Sequence, residues 1–274
     1  MEVKLANSYG FCFGVKRAIE IAQKHQNSAT MGPLIHNQKE IDRLKQDFNV
    51  GLYTSIDEAK KNDTIIIRTH GIPKNDLRAL KSKDTKVINA TCPFVTTPQQ
   101  IVKNMSQEHY SILIFGDDQH PEVQGVKSYS EDDVHVILDP SELDTINFKY
   151  DKIATVAQTT RKKEEYLKIV NALILKNKEV RVFNTICDAT FENQDAVREL
   201  SKEVDIMIVI GGKNSSNTKQ LLSIAEENIT SYLIEDETEL ENDWFKNKTL
   251  CGVTAGASTP DWIIQKVIQK IKQI

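Results

Sequence analysis

The sequence has little of what marks secreted, membrane-spanning or nucleic-acid-binding proteins. Its formal net charge is only −4, so no strong basic field favours nucleic acid or an anionic membrane. The start of the chain has no uninterrupted apolar stretch of signal-peptide type. No apolar run approaches the roughly 20 residues that a membrane-spanning helix needs. We therefore expect a cytoplasmic protein with no nucleic-acid or membrane partner, whose anion sites are built from a few local groups.

Cysteine is scarce, and the common metal-binding spacings are absent. The chain has four cysteines, and no two of them form a C-x-x-C pair. A cytosolic location disfavours disulfides, because that compartment keeps thiols reduced. If several of these cysteines bind one metal centre, the fold itself must bring them together.

Short β-branched runs alternate with charged stretches of helical periodicity along the 274 residues. The runs that indicate strands are 3–6, 28–31, 50–53, 64–68, 86–89, 111–115, 134–138, 153–157, 180–183, 205–210, 231–234 and 249–254. The clearest helical stretches are 15–25, 99–108, 161–176, 190–202 and 262–272. Near-continuous apolar strands suit a parallel sheet that is buried on both faces. Strand–helix alternation implies right-handed βαβ units, so the predicted fold class is α/β.

The number of predicted strands favours three similar domains, each a small, mainly parallel four-stranded sheet with flanking helices. Length alone suggests roughly two domains, with one or three also possible. No low-complexity linker marks a boundary, and no sequence repeat proves a triplication. The boundaries that we infer are 13–92, 93–187, and 188–274 together with 1–12. A single continuous sheet would contradict this division.

Three cysteines share one setting, between the end of a predicted strand and the start of a helix. They are Cys12, Cys92 and Cys187. Open α/β sheets place ligand sites at the carboxyl ends of their strands, and a helix N-terminus favours the thiolate that binds metal. Three thiolates on a four-iron cluster would leave one iron open to substrate. The alternative is that cysteine is simply a small buried hydrophobe, and we prefer this alternative for Cys251, which lies inside an apolar run.

Three histidines also share a setting, in loops near strand ends beside glycine or proline. They are His36, His70 and His120. A lone loop histidine is usually solvated or hydrogen-bonded, but three in matching contexts indicate a shared site. Glu122, two residues after His120, is a candidate proton donor, because burial can raise the pKa of a carboxyl group. Taken alone, Glu122 would read as a surface glutamate.

Two glycine-containing loops each precede a helix and carry serine or asparagine. One is Gly211–Thr218 (GGKNSSNT), and the other is Gly256–Asp261 (GASTPD). Glycines permit a tight turn, and a helix N-terminus presents N–H groups to an anion. Neither loop matches a nucleotide-binding fingerprint. The alternative is ordinary N-capping by Ser215 or Ser258; two such loops favour an anion site.

Nine motifs resemble those of the IspH/LytB family of 4-hydroxy-3-methylbut-2-enyl diphosphate reductases. In order, they are Gly10–Val15 (GFCFGV), Gly32–Asn37 (GPLIHN), Thr69–Gly71 (THG), Ala90–Pro93 (ATCP), His120–Glu122 (HPE), Gln158–Thr160 (QTT), Thr185–Thr190 (TICDAT), Ser215–Asn217 (SSN) and Val253–Ser258 (VTAGAS). The resemblance runs nearly from end to end of the chain.

The resemblance implies three α/β domains around a central [4Fe-4S] cluster held by Cys12, Cys92 and Cys187. The substrate hydroxyl would bind the unique iron, and two electrons and two protons would convert the allylic diphosphate to isopentenyl and dimethylallyl diphosphates plus water. It also implies a diphosphate pocket formed by His36, His70, His120, Ser215, Ser216, Asn217 and Ser258. Glu122 would relay protons, with His120 beside it and Thr159 near the substrate hydroxyl. Electrons would come from a ferredoxin or flavodoxin.

Two positions depart from the family's usual pattern, and two other functions remain open. Asn193 stands where an arginine is frequent, and Thr97 where a lysine is common; neither belongs to the implied ligand set. A zinc hydrolase could use His120 and Glu122 with a cysteine, although zinc deaminases carry a P-C-x-x-C pair that this chain lacks. A non-catalytic diphosphate-binding protein is the other alternative.

Overall fold

A computed structural model describes residues 1–274 and contains all twelve predicted strands. They are β1 Glu2–Leu5, β2 Ser28–Met31, β3 Val50–Tyr53, β4 Thr64–Ile67, β5 Lys86–Asn89, β6 Ser111–Phe115, β7 Val134–Ile137, β8 Lys152–Ala157, β9 Glu179–Val182, β10 Ile206–Ile210, β11 Ser231–Ile234 and β12 Leu250–Ala255. Every end lies within about one residue of its prediction, because buried β-branched runs carry a strong local signal.

Nine α-helices connect the strands. They are α1 Phe13–Lys24, α2 Gln38–Phe48, α3 Lys74–Ser82, α4 Pro93–Gln107, α5 Pro121–Lys127, α6 Lys163–Lys176, α7 Asp188–Leu200, α8 Ser216–Glu226 and α9 Asp261–Lys272. The helix predicted over 99–108 begins earlier, at Pro93, because proline is well suited to the first helical position. No helix is both long enough and apolar enough to span a membrane.

The strands form three separate four-stranded parallel sheets, so the prediction of three small parallel sheets with flanking helices is confirmed. Their strand orders are β3-β2-β4-β5, β7-β6-β8-β9 and β11-β10-β12-β1. In the first two sheets the second strand along the chain lies at one edge, and the first and third lie at the centre. The third sheet has the same arrangement when it is counted from β10, with β11 at one edge and β10 and β12 at the centre. The third sheet takes its last strand, β1, from the N-terminus, parallel to β12.

The sheets belong to two compact units. One unit contains the sheet of β10, β11, β12 and β1 and comprises Met1–Lys16, Ile35–Asp42 and Asp188–Ile274. The other contains the remaining two sheets and comprises Arg17–Leu34 and Arg43–Cys187. The domain boundaries inferred from the sequence stay a prediction.

Strand β10 shows why the central strands are apolar on both faces. Ile206, Ile208 and Ile210 pack into a cluster with α9 on one face of the sheet. Met207 and Val209 pack into a second cluster, with α7 and α8, on the opposite face. Because alternate residues of a strand point to opposite faces, both sets must be apolar. Helices therefore cover both faces, and polar side chains gather at the carboxyl ends of the strands, as in other open α/β sheets.

Candidate functional site

Each of the three sheets holds one cysteine in the same way. The cysteine follows the last strand of its sheet and directly precedes a helix. Its backbone N–H donates to a backbone carbonyl oxygen, that of the second residue after the neighbouring central strand. These hydrogen bonds are Cys12 N to Ala257 O at 3.2 Å, Cys92 N to Thr69 O at 3.0 Å and Cys187 N to Thr159 O at 3.0 Å. All three side chains are partly exposed. That the three sulfur atoms meet at one cluster stays a prediction.

Cys251 differs from the other three cysteines. It lies in β12 with no exposed surface, and it packs in the apolar cluster beneath α9. Burial raises the pKa of its thiol to about 12, so the thiolate that a metal requires is not formed at neutral pH. Cys251 is a core residue, as the sequence indicated.

Glu122 is a buried carboxyl group held by a single neighbouring residue. It lies in the first turn of α5, and Thr159 follows β8, the strand next to β6. The backbone N–H of Thr159 donates to Oε1 of Glu122 at 2.7 Å, and the Thr159 hydroxyl donates to Oε2 at 2.8 Å. Both residues are almost fully buried. Glu122, the candidate proton donor, is therefore in direct contact with Thr159, which the resemblance implies to lie near the substrate hydroxyl.

Burial has the largest effect on the pKa of Glu122. Removal from water raises the pKa of the carboxyl group, whereas the two hydrogen bonds from Thr159 and the positive charge of Arg161 act in the opposite direction, and the net pKa is raised. A carboxyl group with a raised pKa keeps its proton nearer to neutral pH and can serve as a general acid.

Two of the predicted histidines lie against each other beside Glu122. The rings of His70 and His120 make an edge-to-face contact, with 5.5 Å between their centroids. His120 is the N-cap of α5, and its Nδ1 accepts a hydrogen bond from the backbone N–H of Glu122 at 3.2 Å. In this geometry the neutral ring carries its proton on Nε2, which can donate to a phosphate oxygen.

A continuous path of contacts thus joins two of the cysteines within one compact unit. Cys92 bonds to the backbone of Thr69, which is adjacent to His70 in the chain. His70 contacts His120, and α5 carries both His120 and Glu122. Glu122 in turn bonds to Thr159, whose carbonyl accepts from Cys187.

The other compact unit carries three of the predicted diphosphate ligands at the start of α8. Ser215 is the N-cap of α8, and its hydroxyl oxygen accepts from the backbone N–H of Thr218 at 3.3 Å. The capping alternative therefore holds for Ser215. Capping uses an oxygen lone pair, and the hydroxyl proton can still donate to an anion. Ser216 and Asn217 form the first turn of the helix.

Asn217 gives the clearest sign of an absent polar partner. Its side chain is only 4% exposed, and neither its amide nitrogen nor its amide oxygen has a hydrogen-bond partner. A buried amide without partners costs about 1–3 kcal/mol, so such groups need an explanation. A bound ligand with acceptor oxygens would satisfy the amide nitrogen.

The backbone at His36 lies in close contact with the loop that precedes α8. A Cβ atom on Gly212 would lie 2.4 Å from the carbonyl oxygen of His36, so only glycine allows the two backbones to approach so closely. The hydroxyl of Ser258 donates to the same carbonyl at 3.3 Å. Ser258 does not cap α9, whose N-cap is Pro260. His36, Ser258 and the loop before α8 therefore form one local assembly.

Arg161 is a residue near the site that sequence reasoning did not single out. The helical pattern placed it at the start of a helix, but α6 begins at Lys163, and Arg161 lies in the preceding turn. Its guanidinium carbon lies 5.5 Å from the centroid of the Phe115 ring. No motif identifies this position; only its distance from Phe115 and its charge effect on Glu122 do.

Comparisons with known proteins show similarity along nearly the whole chain. The family model described as LytB protein matches residues 3–272. A protein of a Nitratiruptor species named 4-hydroxy-3-methylbut-2-enyl diphosphate reductase is 64% identical over 275 residues, which cover 100% of this chain and 99% of the relative. A protein of Sulfurimonas denitrificans with the same name is 62% identical over 273 residues, covering 99% of both chains.

Two solved structures are also similar. One, described as (E)-4-hydroxy-3-methyl-but-2-enyl diphosphate reductase, the terminal enzyme of the non-mevalonate pathway, has a TM-score of 0.73 and 40% identity and covers 100% of this chain and 99% of its own. The other, E-1-hydroxy-2-methyl-but-2-enyl-4-diphosphate reductase from Plasmodium falciparum, has a TM-score of 0.92 and 27% identity and covers 98% of this chain and 87% of its own.

Proposed function

Because the chain belongs to the LytB protein family, we propose that it is an iron–sulfur reductase acting on 4-hydroxy-3-methylbut-2-enyl diphosphate. The reaction removes the allylic hydroxyl group as water and yields isopentenyl and dimethylallyl diphosphates, the last step of the methylerythritol phosphate route. Two electrons and two protons balance each turnover. The observation that carries the proposal is the path of contacts from Cys92 to Cys187 through His70, His120, Glu122 and Thr159.

Cys12, Cys92 and Cys187 are proposed to hold a [4Fe-4S] cluster, because all three share one local setting. Cys12, Cys92 and Cys187 are partly exposed, and each follows the last strand of its sheet and precedes a helix. Thiolates are the usual ligands of such clusters, whereas the buried Cys251 is excluded. When bound, the cluster supplies electrons and a Lewis-acid iron.

The diphosphate is proposed to bind to neutral donors rather than to a basic pocket. Ser215, Ser216 and Asn217 present hydroxyl and amide groups at the N-terminus of α8, where backbone N–H groups also favour an anion. Ser258 and the three histidines His36, His70 and His120 complete the proposed set. The protein has a slight net negative charge of −4, so its overall electrostatic field does not attract an anion. Neutral hydrogen-bond donors can bind the diphosphate without such a field.

Glu122 and Thr159 are proposed to deliver the proton that lets the hydroxyl group leave as water. Hydroxide is a poor leaving group, so protonation lowers the barrier. The raised pKa of Glu122 favours its protonated form. In that form the O–H on Oε2 donates to the Thr159 hydroxyl oxygen, 2.8 Å away, the reverse of the hydrogen bond that the carboxylate accepts. The proton can then pass to Thr159 while the Thr159 hydroxyl gives its own proton to the substrate. His120, beside Glu122, is proposed to orient the diphosphate and support the same step.

The electrons are proposed to come from a ferredoxin or flavodoxin, since the chain has no flavin or nicotinamide motif of its own. We also propose a cytoplasmic location. A reducing compartment keeps the three cysteines available as thiolates, which supports this assignment.

Anaerobic purification followed by metal analysis and turnover tests the proposed function. Iron and sulfide should be present in equal amounts, at about four each per chain. The protein should oxidise a reduced viologen dye only when the substrate is added, and mass spectrometry should detect both diphosphate products. Zinc near one per chain, without iron or sulfide, would favour a hydrolase instead. Substrate binding without dye oxidation by cluster-loaded protein would leave only a binding role.

A further inference from the structure

Arg17 on α1 donates hydrogen bonds to the backbone turn that leads into Cys92. Its Nη1 donates to the carbonyl oxygen of Thr91 at 3.2 Å, and its Nη2 donates to the carbonyl oxygen of Asn89 at 3.4 Å. These residues belong to one compact unit. The side chain is partly exposed, yet two of its nitrogens are bonded to two different carbonyls. The charged head of Arg17 is therefore held at this turn rather than extended into water.

The carbonyl group of Thr91 and the N–H of Cys92 belong to the same peptide group. That N–H donates to the carbonyl oxygen of Thr69 at 3.0 Å, while the carbonyl accepts from Arg17. Because a peptide group is planar, hydrogen bonds at both ends fix its orientation. A bond donated by a cation at one end also polarises the group and strengthens the bond at the other end.

The peptide group at the start of the same turn is held in the same way. The N–H of Ala90 donates to the carbonyl oxygen of Ile67 at 3.1 Å, and the carbonyl of Asn89 accepts from Arg17. The side-chain oxygen of Asn89 also accepts from the N–H of Thr91 at 3.0 Å. The backbone that leads to the cysteine is thus bonded on one side to the extension of β4 and on the other to one guanidinium.

The side chain of Cys92 begins at the peptide group to which Arg17 is bonded. Covalent geometry keeps its Sγ atom within about 6 Å of the Thr91 carbonyl oxygen. Since Nη1 of Arg17 lies 3.2 Å from that oxygen, the positive charge lies within about 9 Å of the sulfur. This separation is similar to the screening length of roughly 8 Å at physiological ionic strength, so the charge acts on whatever the sulfur binds.

We propose that Arg17 is a positioning residue of the proposed cluster site. Its two hydrogen bonds hold Cys92 in place as a ligand, and its positive charge makes the bound cluster easier to reduce. Reduction adds negative charge, which a neighbouring positive charge stabilises, and the potentials of such clusters depend on local charge and hydrogen bonding. The inference rests on the proposed function, because it takes Cys92 as a cluster ligand.

The reduction potential of the cluster in the purified holoenzyme tests the effect of the charge. Optical and electron paramagnetic resonance spectra are recorded at a series of applied potentials, with no substrate present. In Arg17→Gln, which removes the charge, the midpoint should become more negative. A unit charge about 9 Å away at a partly exposed site should change the ratio of reduced to oxidised cluster about fivefold, which corresponds to about 40 mV for one electron.

The rate of iron release tests the hydrogen bonds. An iron chelator is added to the oxidised holoenzyme without oxygen, and the absorbance of the chelate is followed. Arg17→Gln should release iron about tenfold faster than wild type, the loss expected for one hydrogen bond from a charged donor. Arg17→Lys keeps the charge but has one nitrogen instead of a fork, so it should release iron faster than wild type while its potential stays close to that of wild type.

Two further variants separate the position of Cys92 from the charge of Arg17. Asn89→Ala removes the oxygen that accepts from the N–H of Thr91 and leaves the charge in place. It should release iron faster without a change in potential. Lys24→Gln is the matched control, because it removes an equal charge from an exposed position at the far end of the same helix; neither measurement should change.

Each part of the proposal can be contradicted. An unchanged potential in Arg17→Gln would overturn it, as would equal shifts in Arg17→Gln and Arg17→Lys. If Arg17→Gln does not fold, iron release from Arg17→Lys and Asn89→Ala decides the outcome, and wild-type rates in both would overturn the proposal. Neither measurement needs substrate, so a cluster-loaded wild type without reductase activity would contradict the proposed function and still test Arg17. A wild type that purifies without iron would overturn both.

Discussion

At the residue scale, Glu122 shows two opposing effects on one carboxyl group. Burial raises its pKa, and the two hydrogen bonds from Thr159 lower it, yet the net change is upward. Because a single residue provides both hydrogen bonds, the carboxyl group is held in one orientation toward one hydroxyl. The arrangement suits transfer of a proton along a fixed direction.

Glu122→Gln should keep the cluster and bind substrate but lose most turnover. Glutamine has a similar shape and can accept from Thr159, but it cannot give up a proton in the same way. General-acid catalysis is worth about 10²–10⁴-fold, and we expect a fall in kcat within that range, with iron content unchanged. Glu20→Gln, at an exposed position on α1, is the control and should retain full turnover. An unchanged kcat in Glu122→Gln would refute the proton role.

Cys187→Ser and Cys251→Ser should behave oppositely toward iron. Cys187 is a proposed cluster ligand, and serine is a poor replacement for a thiolate, so the purified variant should be nearly colourless with little iron or sulfide. Cys251 lies in the core, so Cys251→Ser should retain the cluster and instead unfold at a lower temperature. Anaerobic iron and sulfide analysis with a visible spectrum measures both. A full cluster spectrum in Cys187→Ser would exclude it as a ligand.

At the element scale, the same turn geometry is used three times. In each sheet a backbone carbonyl two residues after a central strand (β4, β8 or β12) accepts a hydrogen bond. The donor is the backbone N–H of the cysteine that follows the neighbouring edge strand. The backbone, rather than a particular side chain, fixes the position of each cysteine. This explains why three different local sequences, GFCFG, ATCPF and TICDA, carry the same feature.

Gly212→Ala should impair substrate binding without loss of the cluster. A Cβ atom at this position would lie 2.4 Å from the carbonyl oxygen of His36, so the loop before α8 must move away from His36. Displacements of about 1 Å can cost about 100-fold in activity, and we expect kcat/KM to fall between about 10- and 100-fold, mainly through KM.

The matched control for this prediction is Gly51→Ala on β3. A Cβ atom there would meet its nearest neighbours at 3.7 and 3.8 Å, which is ordinary contact. Steady-state kinetics and iron analysis on both variants separate loop displacement from general damage. Equal kinetics in the two variants would show that the close approach to His36 has no role in binding.

At the scale of the whole molecule, the three sheets share one topology, and each compact unit has its own apolar clusters. Burying one isoleucine or valine side chain contributes about 1.5–3 kcal/mol, so the fully apolar central strands carry much of the stability. Burial of a single carboxyl group such as Glu122 lowers the free energy of unfolding by a smaller amount than these apolar strands contribute.

The stability of the wild-type protein should depend on pH through Glu122. Its pKa in the folded state is raised above the ordinary value of 4.5, so the folded state binds the proton more strongly than the unfolded state. The contribution of Glu122 to stability is then fully present below about pH 4.5 and is lost as pH rises through the folded pKa. A rise of one unit in pKa corresponds to about 1.4 kcal/mol.

Urea unfolding of wild type and Glu122→Gln across this pH range measures the effect. The free energy of unfolding of the variant, relative to wild type, should increase as pH rises from about 4.5 to about 8, because glutamine does not ionise. At low pH, where Glu122 is protonated in both the folded and unfolded states, the difference in free energy of unfolding between variant and wild type reports only the changed hydrogen bonding. It is the reference from which the change with pH is measured. A pH-independent difference would mean that Glu122 has the same proton affinity in the folded and unfolded states.

The sequence by itself determined the strands, most helices, the α/β class and the family. These properties depend on local patterns: β-branched runs, helical periodicity and short motifs near strand ends. The sequence also indicated that Cys251 is a core residue, because it lies inside an apolar run. Residue pattern alone could not prove that three sheets repeat one topology, since the repeat lies in backbone connections rather than in matching residues.

Only the tertiary structure decided which polar groups meet. It joined Glu122 to Thr159, 37 positions later in the chain, assigned the capping role to Ser215 and not to Ser258, and left the Asn217 amide buried without a partner. It also brought the charge of Arg161 to bear on Glu122. These properties arise from contacts between separate segments and from exclusion of water. Both depend on how the strands and helices pack, which no local pattern specifies.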